Sequence, residues 1–230
     1  MSEDGAAVPR NTAPQLPWGD GSPERADRFL IAAIALSSLY LLAWIPLTPV
    51  LVADHPVLLE LFKGSLSGMV TMGALSRIGE ASLVVAVLAA IPGLMIFDWI
   101  YWWAGRRWGR NAINLFIGNT HPKAAARTAR VERIFHRYGW IAIVLAYFQP
   151  IPNVLFYAAA GWTRMRLIPF LLLDLIGCLL WIALCVGLGY AIGQDAVDVA
   201  KAVGRYALWV TIALVIVVVG RQVWVQRRNA

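Results

Sequence analysis

Charge is scarce in this sequence. Only 14% of its 230 residues are Asp, Glu, Lys or Arg, while 60% are hydrophobic, which excludes a soluble domain of that length. Cysteine is scarcer still: Cys178 and Cys185 both lie inside an apolar run, with no metal partner at ligand spacing, and read as small hydrophobes. The three histidines, His55, His121 and His136, are scattered among loops, so no metal or other cofactor is expected. Nucleotide-binding loops, nucleophile elbows and metalloprotease patterns are missing too, which leaves an enzyme reading little to stand on. The net charge is +7, but in a membrane chain the distribution of positive residues matters more than their sum, and no nucleic-acid partner is indicated.

What the chain does have is long apolar runs. Residues 1–28 are rich in Pro, Gly and charge and read as a disordered tail; the apolar run after them has no small-residue cleavage pattern and reads as an uncleaved anchor. Four runs reach the roughly 20 residues a spanning helix needs: Phe29–Leu51, Ala81–Ala104, Leu167–Ile192 and Tyr206–Val225. Two further stretches are broken. Residues 57–75 are interrupted by Lys63, Gly64, Ser65, Ser67 and Gly68, and residues 140–162 contain "YFQPIPN", with Pro150 and Pro152 separated by one residue. Two prolines so spaced scarcely continue a helix, so Gly64, Gly68, Pro150 and Pro152 are the expected hairpin breakers. The competing reading is a pair of ordinary kinked helices.

Orientation follows from the cations. If both broken stretches are re-entrant, sixteen of the twenty Lys and Arg residues fall on one side, and only Lys63, Arg77, Lys201 and Arg205 on the other; the positive-inside rule then makes both termini cytoplasmic. Irregular backbone at membrane depth survives only where protein or a wet cavity shelters it, and Gln149 and Asn153 can satisfy groups the prolines leave open. Two interrupted segments entering from opposite faces, each followed by a full span, are the sequence mark of an inverted repeat. The organisation expected is a tail (1–28), an N-terminal helix and external loop (29–56), a core with both hairpins and a basic cytoplasmic loop (57–193), and a last external loop, helix and basic end (194–230). The fold class is thus an all-α integral membrane protein of about four transmembrane helices and two opposed re-entrant hairpins.

"MGALSRIGEASLVVAVLAAIPGLMIFDWIYWWAGRRWG" resembles the DedA family of bacterial membrane proteins, also called the SNARE-associated or VTT-domain family, through Gly73, Leu75, Asp98, Tyr101, Gly105, Arg106 or Arg107, and Gly109. "YFQPIPNVLFYAAAGWTRMRLIPFLLLDLIGCLLW" is similar to the same family at Phe148, Pro150, Ala160, Gly161, Met165, Gly177 and Trp181. The resemblance covers residues 57–193. It implies two opposed re-entrant hairpins and a role in moving lipids or lipid-linked phosphates across the bacterial plasma membrane, in some cases coupled to protons. Ser65 stands where the family often has a carboxylate, and Tyr147 and Asn153 stand where it often has arginines. Arginine is the natural phosphate clamp, so these departures point to a different headgroup or a less selective groove.

Asp98 and Asp174 lie inside apolar runs, where charge is expensive and functional by default. Asp98 precedes Arg106, and Asp174 follows Arg166, by eight residues, which puts both about 12 Å from the basic boundary on antiparallel helices. Facing each other, they would hold or exchange a proton; the bland alternative is that each is capped by Gln149, Asn153 or a Tyr hydroxyl and anchors a hairpin. The expected transport route is lined by Asp98, Ser65, Ser67, Tyr147, Gln149 and Asn153, with Asp174 in support and Arg164 and Arg166 drawing headgroups to its cytoplasmic mouth. In the basic loop, Arg127, Arg130, Arg133 and Arg137 share one helical face suited to anionic headgroups. Trp99, Trp102, Trp103 and Trp108 suit an interfacial belt, and Gly177, Ala183, Gly187 and Gly189 a smooth contact surface. Membrane lipids are the expected partners, and a homo-oligomer is open. The rival functions are a proton-coupled antiporter for a small solute or cation, and a scaffold binding a partner through the basic loop.

Overall fold

The computed structural model describes residues 18, 22–117, 130, 133–135 and 137–202. The fourth apolar run, Arg127, His121 and His136 lie outside them. Every regular element described is a helix: α1 (Arg25–Asp54), α2 (Pro56–Lys63), α3 (Leu66–Arg77), α4 (Leu83–Met95), α5 (Asp98–Trp108), α6 (Arg110–Ile117), α7 (Ile141–Ala146), α8 (Asn153–Trp162) and α9 (Leu167–Ile192). Among the described residues, three helical stretches are long and apolar enough to cross a membrane: Arg25–Asp54, Leu83–Trp108 and Leu167–Ile192. They coincide with three of the four expected runs. Residues 194–202, expected within a loop, are helical.

α1 begins inside the segment expected to be disordered. Glu24 and Asp27 form a reciprocal capping box over its first turn, and Asp27 accepts from the Arg107 guanidinium and, at 2.8 Å, from the Trp108 indole. These contacts fix the helix start on the end of α5. Further along, the Tyr40 hydroxyl donates to the Phe62 carbonyl at 2.7 Å and Lys63 Nζ donates to Thr48 Oγ1 at 2.5 Å. Otherwise α1 turns Leu36, Leu39, Leu42 and Ile45 outward, as a helix facing acyl chains would.

Both broken stretches are helix, break, helix. After α2 the chain turns at Gly64, whose φ of 61° is left-handed, a conformation that costs an L side chain strain; a Cβ there would also press on Leu94. Ser65 then caps α3, its hydroxyl accepting from the Gly68 amide at 3.0 Å. The second break, residues 147–152, is longer. The Phe148 and Gln149 amides still donate to the Leu145 and Ala146 carbonyls, after which Pro150 supplies no amide and Pro152 is extended and leads into α8. Gly68, expected as a breaker, is helical within α3. Its lack of a Cβ instead makes room for the Glu60 carboxylate, which a side chain there would strike.

The two halves share one packing scheme. α2 lies on α4 and α3 on α9; α7 lies on α9 and α8 on α5. Each crossing is set by glycine against a carbonyl: Gly73 on Val186, Gly189 on Val70, Gly105 on Ala158 and Gly161 on Trp102, while Gly93 meets Glu60 and Gly177 meets Val144. Gly93 and Gly177, Gly105 and Gly189, and Gly109 and Gly193 are each 84 residues apart. Gly187, expected in the contact surface, faces open space. The corresponding long helices run in opposite directions: Trp102 stacks on Phe170 at 6.3 Å, while Ala86 and Ala90 share a buried cluster with Ile182 and Val186. Of the expected aromatic belt, Trp102 and Trp108 are buried, their indoles donating to the Met165 carbonyl and to Asp27.

Candidate functional site: two buried carboxylate clusters

Between α5, the second break, α8 and α9 the chain buries two carboxyl groups. Asp98, at the first turn of α5, is 7% exposed, and Asp174, midway along α9, is 0% exposed. They lie within hydrogen-bonding reach of each other. A hydrogen bond between them would require one of the pair to carry a proton, since a carboxylate only accepts. The Tyr147 hydroxyl, from the break, donates to Asp174 Oδ1 at 3.2 Å. Tyr157 of α8 lies within electrostatic range of Tyr147, Asp98 and Asp174. Even so, Asp98 Oδ2 and Asp174 Oδ2 have no partner among the described residues, which is costly in a dry interior.

The second cluster surrounds Glu60, which is 0% exposed on α2. Its Oε1 accepts from the Ser65 amide and hydroxyl, each at 3.2 Å, and Ser65 Oγ lies 3.5 Å from Ser67 Oγ. Oε2 has no partner among the described residues. Ser67 continues to the wall of a cavity of about 440 Å³, otherwise mostly apolar, with Thr71 and Asp195 as its other polar residues. A hydroxyl path thus leads from a greasy groove to a buried acid. The clusters occupy opposite ends of one face of α9: Cys178 is in electrostatic range of Asp174 and Asp98, and Cys185 of Glu60.

Asp98, Asp174 and Tyr147 therefore converge, and Ser65 and Ser67 converge separately around Glu60. Gln149 joins neither; it lines a second cavity with Arg130, Arg133 and Arg137. Asn153 is half-buried at the start of α8. Arg164, with φ 60°, and Arg166 are exposed in the turn between α8 and α9, beside the Met165 carbonyl that accepts from Arg106 at 3.3 Å. Sequence reasoning passed over Glu60 and Tyr157. A carboxylate in the apolar run "PVLLELF" is the same signal that marked Asp98, masked here by the neighbouring Lys63 and Gly64.

The sequence of this bundle has known relatives. The VTT-domain model matches residues 64–191, more than half the chain. The protein belongs to the VTT-domain, or DedA, family. Similar curated proteins include undecaprenyl phosphate transporter A of Bacillus subtilis (strain 168), 28% identical over 145 residues that cover 61% of this chain and 70% of that protein. Inner membrane protein YabI of Escherichia coli (strain K12) is 31% identical over 113 residues, 49% of this chain and 43% of the relative. An alkaline phosphatase-like protein of Lactococcus lactis subsp. cremoris (strain MG1363) is 25% identical over 161 residues, 68% and 75% of the two chains. No solved structure matches with significance. In this VTT-domain chain the family-like glycines Gly73, Gly105, Gly161 and Gly177 are all points of close helix approach.

Proposed function

We propose that this protein resides in a bacterial inner membrane and lowers the barrier for a lipid or lipid-linked headgroup to cross it. The observation that carries the reading is the set of three buried carboxyl groups, Glu60, Asp98 and Asp174, each with one oxygen unpartnered among the described residues and each beside a helix break. Apolar packing alone gives no reason to retain such groups at membrane depth. In this reading α2 with α3, and α7 with α8, are re-entrant hairpins entering from opposite faces, the halves form an inverted repeat, and both termini lie on the arginine-rich side, with a fourth span in residues 206–225. The headgroup passes the polar tips while its tails stay in lipid, entering by the groove at Ser67 on one side and near Arg164 and Arg166 on the other. The name of the Bacillus relative supports lipid-linked phosphate as cargo.

Purified protein in vesicles carrying labelled phospholipids is expected to speed their transbilayer movement well above that in empty liposomes, and Asp98→Asn to reduce it by about tenfold or more. Movement no faster than in empty liposomes, across several headgroups, would contradict the proposal. The close approach of Asp98 and Asp174 favours one second reading, a proton-coupled antiporter for a small solute or cation. That reading predicts solute uptake driven by a pH gradient and no lipid movement with or without one.

A further inference from the structure

The cavity at Gln149 has a chemistry that neither carboxylate cluster shares. It measures about 320 Å³ and is lined by Arg130, Arg133, Arg137, Tyr138 and Gln149, with Ile134 and Leu145 as its apolar wall. The arginines recur at helical spacing on one face, and all three, exposed to solvent, line one concavity. None of the described lining residues is acidic, and none of the three arginines forms a salt bridge to an acidic side chain among the described residues. Arg137 instead lies over the Tyr138 ring, 5.7 Å from its centroid, which holds the guanidinium by its face and leaves its edge for a ligand. The opposite wall belongs to the second break: Gln149 is two residues from Tyr147, whose hydroxyl reaches Asp174. The break itself, residues 147–152, contains no cation.

We propose that this cavity is a binding site for the phosphate group of a membrane-lipid headgroup, held at the mouth of the second break. Three planar guanidinium forks match the oxygens of a phosphate, each able to donate two parallel hydrogen bonds. The Gln149 amide and Tyr138 hydroxyl add neutral donors, and Ile134 and Leu145 give the first carbons beyond the phosphate a dry surface. Positive-inside charge alone asks only for cations on one side; it does not ask that they meet a polar residue of the break across a cavity. The proposal rests on the lipid-transport reading for its purpose, as a loading position ahead of the acid pair, but binding is measured without transport.

The test is equilibrium binding to the full chain in detergent by native mass spectrometry, with dioctanoyl phosphatidic acid, dioctanoylglycerol and inorganic phosphate as separate probes. The lipid phosphate is expected to bind saturably and dioctanoylglycerol not to bind. Affinity for the lipid phosphate should fall by about tenfold or more in the double variant R133Q/R137Q and recover only in part in R133K/R137K, because lysine has no fork. R28Q removes an equal charge per site from an exposed arginine that donates to the Pro23 carbonyl, and should stay within about twofold of the unaltered chain. Unchanged affinity in R133Q/R137Q, or an equal loss in R28Q, would overturn the proposal. Inorganic phosphate binding as tightly as the lipid would overturn the lipid assignment and leave a free-anion site. Binding that behaves as expected in a protein that moves no lipid would leave this site standing and remove the transport reading instead.

Discussion

Asp27 accepts from two side chains of α5, the Arg107 guanidinium and the Trp108 indole, while 95% shielded from solvent along its side chain. Replacing it with alanine strands a half-buried cation and a buried N–H together, so Asp27→Ala is expected to cost about 2 kcal/mol, read as a lowered melting temperature in detergent. Glu24, which meets the same arginine at 2.6 Å but is 76% exposed, is expected to matter by less than about 0.5 kcal/mol when removed. Equal losses would show that net charge, and not burial, holds α1 to the core. Asp98 and Asp174 were legible as a facing pair because a carboxylate in an apolar run declares its own cost, and equal distances from Arg106 and Arg166 placed them at one depth. Glu60 was illegible for a local reason: its run is short and ends in Lys63, Gly64 and Ser65, so the charge reads as part of a loop. Nothing in "VLFYAAAGW" says where the Tyr157 hydroxyl points, since an aromatic residue suits a lipid-facing and a core-facing position alike.

At the scale of elements, the crossings of α3 on α9 and α8 on α5 depend on glycines facing backbone carbonyls. A side chain at Gly105 or Gly161 would drive into the opposing helix backbone, which has no rotamer with which to yield. Gly105→Val and Gly161→Val are each expected to destabilise the fold by about 3 kcal/mol or more, through overpacking and separation of the helices. Gly187→Ala, with nothing within 4 Å of the new Cβ, is expected to be neutral or slightly stabilising, since alanine suits a helix interior better. Comparing the thermal aggregation of the three variants tests the assignment, and a stable Gly105→Val would contradict it. The helices themselves were legible from apolar length, and the two breaks from glycine and proline. The role of Gly68 was not, because composition does not distinguish a glycine that ends a helix from one that admits a neighbour's carboxylate. Tertiary contact also moved the start of α1 ahead of the apolar run, to where Asp27 finds Arg107.

Across the whole molecule, the two halves share one packing scheme on antiparallel long helices; of the glycines 84 residues apart, Gly93, Gly105, Gly177 and Gly189 sit where a side chain would meet a backbone carbonyl, while Gly109 and Gly193 have left-handed φ. The molecule carries two unlike clusters on one face of α9, a carboxyl pair under the second break and a hydroxyl-linked acid under the first. Whether they form one route depends on the breaks entering from opposite faces. The most direct test is side-specific labelling of His55→Cys, Glu80→Cys, Tyr138→Cys and Thr163→Cys, all exposed positions flanking the two hairpins, with a membrane-impermeant maleimide in oriented vesicles. The native Cys178 and Cys185 are buried and should stay silent. Re-entrant hairpins predict that the substitutions at 55 and 80 react from one side and those at 138 and 163 from the other. Labelling that splits either pair between the two sides would make that hairpin a full span and contradict the account.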